Sequence, residues 1–73
     1  PITKINYTLK EKASVRLTVF DVTGKEIKTI VNQEQSPGDH SAYFNGSGIP
    51  SGIYFYRISA NGFSDTKKMI LIK

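Results

Sequence analysis

The chain has no cysteine, one histidine, one methionine (Met69), and no apolar run approaching the length of a membrane span. Each absence removes a class of protein. Without cysteine there is neither a disulfide framework nor a thiolate zinc site. Without roughly 18 consecutive apolar residues there is no spanning helix, and the N-terminus carries no charged-then-apolar leader. A single histidine rules out a metal site of several imidazoles. Its neighbour Asp39 must point to the opposite face of any strand, so His40 reads as a surface residue rather than a general base. The carboxylates never take the D-x-D-x-D-G spacing of a calcium loop. The chain opens on Pro1 instead of methionine, which suggests a fragment or processed piece of a longer protein, so that any export signal would lie upstream.

At 73 residues the sequence allows one domain, 1–73, with one core. Ordering entropy nearly cancels apolar burial in chains this small, so few apolar side chains can be spared for display. Ten Lys and Arg against six Asp and Glu leave a formal charge of +4. The lysines are scattered, however, and only Lys67, Lys68 and Lys73 gather toward one end. Scattered lysines serve as solvated faces or as guards on edge strands.

What is present is alternation. Ile5, Tyr7 and Leu9 recur at every second position, as do Val15, Leu17 and Val19, and helical spacing is nearly missing. Between the second and third strands, "DVTGKE" supplies a hairpin corner, with Gly24 taking positive φ and Asp21 bonding nearby amides. The third strand holds Ile27, Ile30 and Val31, whose slipped phase indicates a bulge. "NQEQSPGD" reads as a polar connector, His40 to Phe44 as a short strand, and "NGSGIPSG" as a long wound loop. Ile53 to Ala60 and Phe63 to Ile72 then pair across an Asn61-Gly62 turn. The expectation is an all-β fold, a small antiparallel immunoglobulin-like β-sandwich of six to seven strands, with a small barrel as the structural alternative.

"SGIYFYRI", from Ser51 to Ile58, reads as a central strand with both faces covered because its apolar character is nearly continuous. One face carries Tyr54, Tyr56 and Ile58, and the other Ile53, Phe55 and Arg57. Tyr54 is expected to anchor a corner of the sandwich through its hydroxyl.

Little of this supports chemistry. The glycines of "NGSGIPSG" match neither a dinucleotide nor a triphosphate loop, and no helix follows them. Arg57 beside Phe55 and Tyr56 is a faint version of a single-strand nucleic-acid platform, but the core needs those rings, so no nucleic acid is expected. With no nucleophile–base pair and no carboxylate pair in register, neither an enzyme nor a cofactor site is expected.

The landmarks "TKINYTL", "VRLTVFDVTGKEI", Gly38 with His40, "FNG", "SGIYFYRI" and "TKKMILIK" cover almost the whole chain in order. In that order and spacing the sequence resembles the C-terminal sorting domain of proteins exported by the type IX secretion system. It is also similar to the immunoglobulin-like domain of flagellar hook-capping proteins. Two features depart from the pattern: only Pro1 stands where an Asn-Pro-Phe-Asn-Pro segment commonly precedes the first strand, and Phe44 stands where tryptophan is frequent.

The resemblance implies a non-catalytic folded signal on a secreted or cell-surface protein. It would be recognised by the translocon in the periplasm and then removed or exchanged by a surface peptidase, with no direct membrane insertion. Partner recognition would fall on Gly52, Tyr54 and Tyr56 and on Lys67, Lys68, Met69, Ile70, Leu71, Ile72 and Lys73. A last strand of this kind is suited to strand addition, with Lys67 and Lys68 steering it toward an acidic surface. The bland alternative is that Met69 to Ile72 complete the sandwich. A structural spacer module, or a filament subunit linked through edge strands, is the competing function.

Overall fold

Alternating side chains can bury one face of each strand, and in the computed structural model, which describes residues 2–72, they do so in six antiparallel strands. These are β1 (Ile2–Leu9), β2 (Ala13–Phe20), β3 (Glu26–Gln35), β4 (Gly38–Asn45), β5 (Gly52–Ala60) and β6 (Phe63–Leu71). They form a four-stranded sheet in the order β3-β2-β5-β6 and a two-stranded sheet of β1 and β4. Among the described residues there is no helix. The expected sandwich of antiparallel strands is therefore present, in its six-stranded form.

The core is the space between the two sheets. From the larger sheet Val15, Leu17 and Val19 are fully buried, and Ile5, Leu9, Ala42 and Phe44 close over them from the smaller one. Phe44 thus keeps a ring at the centre of the core, packed with Val19, Tyr54 and Leu71. Tyr7 lies at the margin, stacked on His40 with ring centroids 5.5 Å apart and its hydroxyl bonded to Gln35. His40 is thus half-buried against a ring rather than free at the surface. Asp39 points the other way and accepts a bond from Thr8.

The third strand carries two register shifts. Leu17 faces Val31 while Thr18 faces Thr29, and Val19 faces Lys28 while Phe20 faces Glu26, so Ile30 and Ile27 are the extra residues. The bulges expected from the slipped phase turn Ile27, Ile30 and Val31 all toward the core. One expectation fails here. "NQEQ" is not connector but the second half of β3, because Asn32 to Gln35 pair with Ala13 to Arg16. Backbone pairing overrides a polar sequence when the strand lies on an edge with solvent beside it.

Both hairpin turns form as their residues require. At the β2–β3 corner the Asp21 carboxylate accepts from the Thr23 hydroxyl at 2.6 Å, the Thr23 amide at 2.9 Å and the Lys25 amide at 3.0 Å. At the β5–β6 corner Asn61 and Gly62 both take positive φ, 48° and 81°, the two-residue type I′ geometry that matches strand twist.

Candidate functional site

The residues singled out in the sequence fall on two surfaces outside the core: the edge of β6 and the outer face of the four-stranded sheet. Among the described residues β6 pairs with β5 alone and lies outermost in its sheet. Met69 faces Tyr54 and Leu71 faces Gly52, on the inner side, while Lys68 faces Phe55 and Ile70 faces Ile53, on the outer side. Leu71 is 3% exposed, and its side chain lies so close to Gly46 that a Cβ there would sit 2.7 Å from two of its methyl carbons. A side chain at position 46 would have to displace Leu71, so glycine lets the loop after β4 meet the last strand in one close contact.

The residues singled out in the sequence divide accordingly. Tyr54 and Leu71 are buried in one cluster, and Gly52, Tyr56 and Met69 are half-buried. Lys67, Lys68, Ile70 and Ile72 are exposed, and Lys73 lies outside the described residues. The Tyr54 hydroxyl donates to the Pro50 carbonyl at 2.7 Å, which makes it the corner tyrosine the sequence suggested. Lys67 and Lys68 diverge to opposite faces: Lys67 borders a small gap of about 70 Å³ between β1 and β6, beside Tyr56 and Asp65.

The expectation that both faces of β5 are covered is overturned. Tyr54, Tyr56 and Ile58 pack inward as anticipated, but among the described residues no strand covers the other side, where Ile53 and Arg57 are exposed and Phe55 half-buried. β5 is central only within its sheet, between β2 and β6, and the two-stranded sheet lies on one side alone. Ile53 is 44% exposed and Ile70 62%. Phe20 faces Phe55 across β2 and β5, and the Arg57 guanidinium stacks 4.8 Å above the Phe20 ring. An open groove of about 350 Å³ runs past Phe20, Phe55, Arg57 and Thr66. An apolar, two-sided strand reads as buried when taken alone, and that hides this face. The signal available was Phe20, which breaks the polar series of Arg16 and Thr18 on the outer side of β2.

Among the described residues no group of three or more His, Cys, Asp or Glu is placed to hold a metal ion. The grooves are open, and what they present is strand edge, rings and charged side chains of both signs. Such a surface defines a recognition module.

The comparisons identify which one. The chain belongs to the secretion system C-terminal sorting domain family, whose sequence profile matches residues 2–73. It is a sorting domain for type IX secretion, of the kind that marks proteins for export through the outer membrane to the cell surface or medium, and such domains are not catalytic. The chain matches no curated protein and no solved structure.

Proposed function

We infer that the machinery reads this domain by adding a strand to the free edge of β6, with the translocon as first reader and a surface peptidase acting on the exported protein afterwards. The domain itself performs no catalysis. The geometry of β6 supports this. In a two-residue hairpin the closing pair, Ala60 and Phe63, exchanges both backbone bonds, and the pairs alternate from there. Ser64, Thr66, Lys68 and Ile70 therefore turn their amides away from β5, toward the open edge. Met69 and Leu71 anchor the strand from inside, so the edge is presented rigidly, with lysine as the usual guard against indiscriminate pairing. Tyr54 and Leu71, being buried, serve recognition only by holding β5 and β6 in place.

The test is a fusion of residues 1–73 to the C-terminus of an exported fluorescent reporter in a host with type IX secretion. The reporter is expected outside the cell only when the translocon is intact. Thr66→Pro removes one outward amide without breaking a β5–β6 bond, as edge positions tolerate, and is expected to lower export severalfold while the domain stays folded. Export of Thr66→Pro at the parental level rules out strand addition. Failure of the parental fusion rules out these residues as a sufficient signal.

A further inference from the structure

We propose that the outer face of the four-stranded sheet is a second docking surface, for a protein partner that sets carboxylates around an apolar centre. This rests on the domain being a signal read by the secretion machinery. The face holds Phe20, Phe55, Ile53 and Ile70 in register across β2, β5 and β6, since Phe20 faces Phe55 and Ile53 faces Ile70. Ile53 and Ile70 are exposed and Phe20 and Phe55 half-buried, and in a chain of 73 residues such exposure is apolar surface withheld from a small core. The inner faces of the same strands already fill the space between the sheets, and the two-stranded sheet cannot reach the other side.

Charge identifies the occupant. Arg57 and Lys68 stand on the patch, and neither has a carboxylate partner among the described residues. The two nearby carboxylates are engaged elsewhere: Asp21 accepts from Thr23 and Lys25 within its turn, and Glu26 pairs with Arg16 at 3.3 Å. Arg57 is exposed with its guanidinium over the Phe20 ring, and an exposed guanidinium can take a carboxylate in bidentate fashion. A second copy of this chain is a poor occupant, because an isologous contact brings Arg57 and Lys68 against their own images. An acidic protein surface with an apolar middle complements the patch in both respects.

The experiment uses the same reporter fusion with Arg57→Glu and Ile53→Ser, both on β5 and one strand removed from the β6 edge. Lys4→Glu, on the outer face of the other sheet, controls for net charge. Thermal melts of the purified domains establish that each is folded. Export is expected to fall roughly tenfold in each β5 variant, as for residues central to an interface, and to hold in Lys4→Glu. Parental export by folded Arg57→Glu and Ile53→Ser overturns the docking face while leaving the sorting function intact, whereas a parental fusion that is not exported rules out residues 1–73 as a sufficient signal and overturns this proposal with it. If Lys4→Glu falls equally, overall charge is what matters and the face is overturned. The purified domain is also titrated with vesicles of phosphatidylcholine and phosphatidylglycerol and sedimented alone. Vesicle binding abolished by Arg57→Glu assigns the face to a membrane, a dimer abolished by Ile53→Ser assigns it to a second copy, and either result overturns the proposal.

Discussion

Asp21 shows how much one exposed side chain organises. The hydrogen bond from the Thr23 hydroxyl, with the amides of Lys25 and Thr23 and the charge of Lys25, holds its carboxyl below the ordinary value of 3.8, against a smaller opposing effect of desolvation. A carboxyl whose pKa is lower in the folded state favours folding when ionised. Its contribution is therefore complete above 3.8 and fades as the pH falls through the lowered folded value. Asp21→Asn is expected to reduce the melting temperature at neutral pH and to match the parent in strong acid. Thermal melts followed by circular dichroism over that range check this, and a constant gap at every pH would show that the bonds alone, without the charge, support the corner. At the same scale, Asp21, Gly24 and the corner role of Tyr54 were legible in the sequence, because each depends on neighbours within four residues. The stacking of His40 on Tyr7 was not, since it joins strands far apart in the chain.

At the scale of the element, β6 separates anchoring from display by parity. Leu71 and Met69 turn inward, and Ile70 and Ile72 outward at 62% and 78% exposure. Leu71→Ala is expected to cost roughly 2–5 kcal/mol, as for large-to-small changes in a core. Ile70→Ala is expected to stay within about 0.5 kcal/mol. Urea unfolding of the two variants distinguishes them, and equal losses would mean that the outer residue is packed after all. The contrast guides any dissection of the tail, because cutting away residues 67–73 removes a core residue along with the exposed ones. β5 shows the limit of reading an element alone. Its composition correctly marked a central strand, but whether its second apolar face meets another layer depends on a sheet built from distant segments. Likewise the polar second half of β3 carries no periodic signal, and only its pairing with β2 reveals it.

At the scale of the whole molecule, pairing is mostly non-local. β1 joins β4 from Ile2–Asn45 to Leu9–Gly38, and β2 joins β5 from Val15–Ala60 to Phe20–Phe55. Only the β2–β3 and β5–β6 hairpins close over short turns. Folding must therefore meet the loop-closure entropy of long segments before their contacts form, and such topologies fold in about milliseconds to seconds. Stopped-flow refolding is expected to show a relaxation in that range. A microsecond phase accounting for the full amplitude would mean that the sheets assemble from more local structure than the fold contains. The same topology leaves two faces with different prospects, a strand edge suited to backbone pairing and a flat sheet suited to side-chain docking.

By itself the sequence determined the all-β class, the number and approximate limits of most strands, both hairpin corners, the bulged third strand and the sorting-domain family. Alternation, turn chemistry and motif order are local properties written directly in the residues. Tertiary structure alone decided the division into four and two strands, the continuation of β3 to Gln35, the close contact of Gly46 with Leu71 and the exposure of the outer face of β5. The physical reason is that burial belongs to a pair of surfaces. An apolar strand specifies that it can be covered, and only the arrangement of the other strands determines which side is.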